Sequence, residues 1–148
     1  LLETMMNDEY FSRKYPKSTG PDYFNHEWIK KNLASSSKVI SPEDVQATLL
    51  QVTILSLIES INLLKLSNDN IYLCGGGVHN KFLCNELKKQ SKSEIKTTLD
   101  LGIDPDYVEA ICFGWLAKQR IENKKFNLSE ITGSKGVVYL GRIYEPSK

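Results

Sequence analysis

The segment SPEDVQATLLQVTILSLIESINLLKL, Ser41 to Leu66, restricts the folds open to this chain more than any other. Ser41 suits an N-cap, Pro42 the first helical position, and Glu43 and Asp44 a first turn whose dipole favours negative charge. Val45, Leu49, Val52, Leu55, Ile58 and Ile61 form one stripe at helical spacing, and Leu50, Ile54, Leu57 and Leu64 widen it over most of the circumference. A helix apolar on so many sides is packed on several of them, so a central helix is expected rather than a surface one. Part of its apolar girdle is expected to be covered by something outside this chain. No apolar run reaches the ~20 residues needed to span a bilayer, and no signal peptide precedes a small-residue cleavage site. The expectation is a cytoplasmic protein without a membrane partner.

Around that helix the pattern alternates. STGPDYFNHEWIKKNL, Ser18 to Leu33, reads as a helix with Ser18 or Thr19 as N-cap, Pro21 in the first turn, and Phe24, Trp28 and Ile29 on one face. Asn68 to Asn70 breaks the long helix, and Ile71 to Cys74 is a short apolar strand. Three glycines, Gly75 to Gly77, follow at once, and a helical pattern marked by Phe82, Leu83 and Leu87 opens directly after them. Glu94 to Leu99 reads as a second strand. Asp104 then caps a helix with Pro105 and Asp106 in its first turn and Val108, Ile111, Cys112, Trp115 and Leu116 facing inward. A last strand is expected near Val137 to Leu140. Helix, strand, helix, strand, helix, strand is the order of an α/β domain with parallel strands.

At 148 residues the chain fits one domain and can bury a core without staples. Its 19 Lys and Arg against 18 Asp and Glu give no field that would draw nucleic acid or acidic lipid. The run KKQSKSEIK, Lys88 to Lys96, reads as a solvated helix end and loop rather than a phosphate-backbone patch. Cys74, Cys84 and Cys112 are odd in number, fit no zinc spacing and lie in apolar segments, which points to core thiols in a reducing compartment. His26 and His79 stand far apart, without the grouping a metal site requires.

Three segments carry candidate chemistry. A glycine turn at a helix N-terminus suits a phosphate or ribose, because glycine permits close approach and the helix end offers unpaired N–H groups. A tight turn needing no ligand explains the same residues equally well. A dinucleotide fingerprint fits only in part: Gly75 and Gly77 match its first two glycines and Asp100 its acid, but Asn80 occupies the third glycine position. No G-x-x-x-x-G-K-[ST] loop is present. In PKSTG, Lys17 with the hydroxyls of Ser18 and Thr19, ahead of Gly20, can hold an anion or a sugar hydroxyl, or serve as an N-cap with a flanking lysine. In LGIDPDYVEA, capping accounts for Asp104 and the helix dipole for Asp106, while Glu109 adjoins the apolar face, where a partner would partly bury it.

In this order PKSTGPDYFNHEWI, IYLCGGGVHNKFL, TTLDLGIDPDYVEAICFGWLA and ITGSKGVVYLGRIY resemble the C-terminal half of the anhydro-N-acetylmuramic acid kinases, from about Tyr15 onward. The resemblance implies the helix-rich C-terminal part of an actin-like ATPase (ribonuclease H-like) kinase fold, with short, mostly parallel strands flanked by helices. It implies two α/β domains closing over Mg-ATP (ATP and Mg2+ as cofactors), a 1,6-anhydro sugar as substrate, and a 6-phosphate product of peptidoglycan recycling. Such phosphoryl transfer rests on positioning and charge stabilisation. By this resemblance Gly75, Gly76, Gly77 and Asn80 line the adenosine side of the cleft, Glu109 lies near the nucleotide, and Lys17, Ser18, Thr19 and Gly20 shape the sugar or interdomain side. The family's Gly-Thr-Ser phosphate loop and water-activating Asp have no counterpart here, so residues 1–148 are expected to be the C-terminal portion, inactive alone. The absence of methionine at position 1 fits processing or a place within a longer chain. A homodimer is allowed for. The rival readings are a non-catalytic nucleotide- or partner-binding module of the same fold and, more distantly, a Rossmann oxidoreductase.

Overall fold

The computed structural model describes residues 1–66 and 69–146. Two short helices, α1 (Leu2–Met6) and α2 (Glu9–Ser12), lead into α3 (His26–Ala34) and the long α4 (Pro42–Leu63). Strand β1 (Asn70–Leu73), a 3-10 turn at Gly76–His79, α5 (Lys81–Gln90) and β2 (Glu94–Thr97) come next. Two more 3-10 turns, Thr98–Leu101 and Pro105–Tyr107, precede α6 (Val108–Ile121). The chain closes with β3 (Phe126–Asn127), α7 (Ser129–Thr132) and β4 (Val137–Val138).

The expected parallel pairing is present: β1 and β2 run side by side with Ile71 opposite Ile95 and Leu73 opposite Thr97, and α5 is the crossover between them. The core sits where α4 and α5 cover this pair. Ile54, Leu87 and Ile95 are its buried centre, with Leu50, Ile58, Ile71, Leu73 and Leu83 around them. Full burial of side chains such as Ile54 and Leu87 stabilises the fold by roughly 1.5–3 kcal/mol each. The cap of α4 is the expected one, since Ser41 Oγ accepts the Asp44 N–H at 3.1 Å. Of the break expected at Asn68 to Asn70, Asn68 lies outside the described residues, Asp69 donates its N–H to Leu66 O, and Asn70 already belongs to β1.

Several expectations are corrected. The helix expected from Ser18 begins only at His26, because Asn25 caps it: Oδ1 accepts from the N–H groups of Glu27 and Trp28. Upstream, Gly20 to Phe24 is a turn in which Gly20 O accepts from Tyr23 and Phe24, so neither Ser18 nor Thr19 is an N-cap. Helix α4 is not enclosed. Only Val52 and Ile54 are buried, while Leu57, Leu63 and Leu64 are 41%, 54% and 47% exposed, because α1 and α5 cover only part of its girth. Nor is its apolar run too short, since by length and composition alone α4 could cross a bilayer. The polar Thr53, Ser56 and Ser60 that interrupt the run turn their hydroxyls onto carbonyls of the helix itself.

Helix α6 departs in the same way. Val108 and Leu116 are half-buried, but Ile111, Cys112 and Trp115 are exposed, and Gln119 is the buried residue. Its main neighbour is the Pro105–Tyr107 turn, with the Trp115 ring 5.4 Å from that of Phe126, so little of this chain reaches its apolar face. Asp104 caps that 3-10 turn, and α6 starts after it. Strand β2 stops at Thr97, where Asp100 folds back to accept from its N–H and hydroxyl, so Leu99 belongs to a turn. The last strand is Val137–Val138 and pairs antiparallel with β3. The link from Leu128 to Gly136 is shorter than the dozen or so residues a parallel crossover requires. The three thiols are free but not core residues: Cys74 and Cys112 are exposed and Cys84 half-buried.

Candidate functional site

Because β1 and β2 are parallel, the loops leaving their carboxyl ends lie next to each other. After β1 the chain enters Gly75 with φ +76°, a conformation that glycine adopts freely and other residues rarely do. Its N–H donates to Pro105 O, in the loop after β2, at 2.9 Å. That second loop turns at Gly102, φ +78°. Gly76 and Gly77 are different. Neither has a positive φ; a Cβ at Gly76 would meet nothing within 4 Å, and one at Gly77 would meet only Leu83 Cδ2 at 3.9 Å. Backbone geometry therefore accounts for Gly75, while neither geometry nor packing requires glycine at 76 or 77. What they provide is bare main chain facing open space beside the strand ends, the place where open α/β sheets take ligands.

The helix does not open directly after the glycines, as its apolar spacing suggested. A 3-10 turn intervenes, closed by Val78 N–H to Gly75 O and Asn80 N–H to Gly77 O, and α5 starts at Lys81. Asn80 is its N-cap, with Oδ1 accepting the Leu83 N–H at 3.0 Å. The side chain that breaks the dinucleotide fingerprint thus has a structural role.

His79 meets Asp106 here, its Nε2 lying 2.9 and 3.0 Å from the two carboxylate oxygens. The carboxylate only accepts, so Nε2 carries the proton. By sequence the histidine stands alone and the aspartate serves the helix dipole. The available signal was indirect: each follows one of two strands that a parallel pairing brings together. Asp100 is held below the usual carboxylate range, first by the Thr97 N–H bond and then by its hydroxyl. Its carboxylate is thus engaged as a turn cap. Thr98, just after β2, has a buried hydroxyl without a hydrogen-bond partner among the described residues. Glu109 is exposed on the first turn of α6, three residues past Asp106, and makes no hydrogen bond or ion pair among the described residues.

The Lys-Ser-Thr-Gly segment belongs to another place. Lys17 Nζ donates to Tyr10 O at 3.1 Å and Phe11 O at 3.0 Å and lies 4.8 Å from the Tyr10 ring centroid, which ties it to the end of α2. Lys17 and Thr19 line a cavity of about 430 Å³ between the aromatic side chains Tyr10, Phe11 and Trp28 and the flank of α4. Ser18 and Gly20 do not line it, and neither do Gly75, Gly76, Gly77, Asn80 or Glu109. Among the described residues no group of three or more His, Cys, Asp and Glu side chains gathers as a metal site would require.

A parallel βαβ unit with a glycine corner and a facing turn at its strand ends places the chain in the α/β class. Residues 1–146 match the family described as anhydro-N-acetylmuramic acid kinase, and the chain belongs to that family. It is 42% identical over 145 residues to the anhydro-N-acetylmuramic acid kinase of Coxiella burnetii (strain RSA 493 / Nine Mile phase I), covering 97% of this chain and 38% of that protein. It is 41% identical over 145 residues to the proteins of the same name from Pseudomonas syringae pv. syringae (strain B728a) and Pseudomonas savastanoi pv. phaseolicola (strain 1448A / Race 6). Those matches cover 97% of this chain and 40% of each relative. The chain thus spans about two fifths of the length of these relatives.

Proposed function

We propose that this chain is the C-terminal, nucleotide-holding portion of an actin-like kinase that phosphorylates 1,6-anhydro-N-acetylmuramic acid. In that reaction water adds to the anomeric carbon, the bond from that carbon to the bridging 6-oxygen breaks, and the freed oxygen takes the phosphoryl group. N-acetylmuramic acid 6-phosphate and ADP are the products. ATP, with Mg2+, supplies the γ-phosphoryl group and the charge neutralisation it needs. The water-activating carboxylate and the phosphate loop belong to an N-terminal portion, and residues 1–148 alone are inactive. We assign the protein to the cytoplasm, with ATP and the sugar as its small-molecule partners.

This chain's own residues bind and orient. Gly76 and Gly77 present bare backbone against which the nucleotide lies, Gly75 makes the turn that aims it, and Asn80 fixes the start of α5 beside it. Glu109, exposed on the first turn of the neighbouring α6, meets the nucleotide. Lys17, Ser18, Thr19 and Gly20 shape the sugar or interdomain side. The observation that carries the reading is the open space over Gly76, a glycine required by neither its backbone nor its neighbours.

The test joins this chain to the N-terminal portion of a 42%-identical relative and titrates the chimera with Mg-ATP by calorimetry. Saturable binding that Gly76→Val abolishes, with phosphorylation of the anhydro sugar, supports the proposal. Binding indifferent to Gly76→Val moves the nucleotide elsewhere, and binding without sugar turnover leaves a nucleotide-binding module.

A further inference from the structure

Three successive glycines make a freely jointed stretch of backbone, and little side-chain packing restrains them. Two links tie this corner to the loop after β2. At its start the Gly75 N–H meets Pro105 O, and at its end His79 meets Asp106, which is the very next residue of that loop. The two links bracket the Gly76–His79 turn and fasten both ends of it to the Pro105–Tyr107 turn. The Asp106 backbone is held in that turn, since its N–H donates to Asp104 Oδ1 at 3.0 Å. His79 and Asp106 are 66% and 53% exposed, so a role in the core does not explain the pairing.

We propose that His79 and Asp106 are positioning residues that hold the glycine corner in its nucleotide-accepting shape, an inference that rests on the nucleotide reading of Gly75 to Gly77. The physical basis is entropy. A corner free to sample other shapes must be ordered by the ligand at a cost to affinity, and a corner already fastened is not. Because an exposed pair is a modest interaction, losing it weakens nucleotide binding by about three- to fivefold, without abolishing it. The pair lies 27 residues apart in sequence and joins two turns outside the buried core, so its loss leaves the Ile54–Leu87–Ile95 core intact.

The experiment uses the chimera and compares His79→Ala, Asp106→Ala, the double variant, His79→Gln and Gly76→Val. The expected result is a three- to fivefold rise in the Mg-ATP Kd and KM for each alanine variant, with kcat and melting temperature unchanged. The double variant should be no worse than either single one, and His79→Gln, which keeps an N–H to donate, should recover much of the loss. If both alanine variants bind as wild type while Gly76→Val has lost binding, the positioning role is wrong and the nucleotide reading stands. If Gly76→Val also binds as wild type, or the chimera binds no nucleotide, the nucleotide reading fails and takes this inference with it. A melting temperature that falls in step with affinity, with turnover lost as well, makes the pair merely structural.

Discussion

The indole N–H of Trp28 donates to Asp8 Oδ2 at 2.8 Å, joining α3 to the N-terminal helices across twenty residues. The other carboxylate oxygen accepts the Tyr23 hydroxyl at 2.8 Å and the Tyr10 N–H at 2.9 Å. One aspartate thus gathers an aromatic cluster in which the Phe24 and Trp28 rings are 4.9 Å apart and those of Phe24 and Tyr10 5.3 Å apart.

Burial pushes the Asp8 carboxyl up, but the bonds from Trp28, Tyr10 and Tyr23 outweigh it and hold the group below its ordinary value. A carboxylate depressed in the folded state stabilises above its unfolded value and loses that contribution as the pH falls through the folded one. Asp8→Ala is expected to cost about 2 kcal/mol at neutral pH, the scale of hydrogen bonds to a charged group. Denaturant titrations of the two proteins should converge as the pH is lowered below the carboxylate range, and a gap that persists undiminished in acid argues against this role.

Ile54 is fully buried against Leu87 and Ile95, whereas Ile111 is 56% exposed. Truncating each to alanine separates the core of this chain from its uncovered helix. Ile54→Ala is expected to destabilise by about 2–5 kcal/mol through lost contacts and a cavity. Ile111→Ala should change the chain's stability by less than about 0.5 kcal/mol. Equal losses in chemical denaturation would mean that α6 is covered.

Asn80 tests the cap against the ligand. Asp caps a helix as well as Asn and suits the positive end of its dipole, so Asn80→Asp should leave the melting temperature unchanged or slightly higher. A new negative charge beside the glycine corner should nonetheless weaken Mg-ATP binding several-fold, since like charges repel. Unchanged affinity in a calorimetric titration would place the phosphates away from Asn80.

Cys74 and Cys112 are exposed free thiols, and Cys74 adjoins Gly75. A thiol reagent is expected to modify these two faster than the half-buried Cys84. If the nucleotide lies over the glycines, Mg-ATP should slow modification at Cys74 and not at Cys112. Mass spectrometry after timed labelling reads each site, and equal protection of both would point to a global effect.

Much of the local structure is legible in the sequence. Ser41, Pro42, Glu43 and Asp44 specify the start of α4 through backbone chemistry that needs no distant partner. Ile71 to Leu73 and Glu94 to Thr97 are strands as their patterns indicate, and the α5 crossover makes them parallel. The start of α3 is less legible because Ser18, Thr19 and Asn25 are all competent caps. The choice fell to Asn25, which reaches two N–H groups while Gly20 closes its own turn.

By itself, then, the sequence determined α4, α5, the parallel pairing of β1 with β2, the glycine corner and, through matched motifs, the kinase family, because capping, periodicity and turn chemistry act over a few residues. The tertiary structure alone decided which apolar faces are covered. Apolar spacing marked α4 as a central helix with part of its girdle left for something outside this chain, and Ile111 and Trp115 of α6 as facing inward. Leu57, Leu63, Ile111 and Trp115 are the ones that face outward, since burial depends on what stands opposite and a helix pattern records only its own side. It also decided that His79 and Asp106 meet. Their separation of 27 residues holds no local signal, and only two parallel strands ending side by side bring them within hydrogen-bond reach.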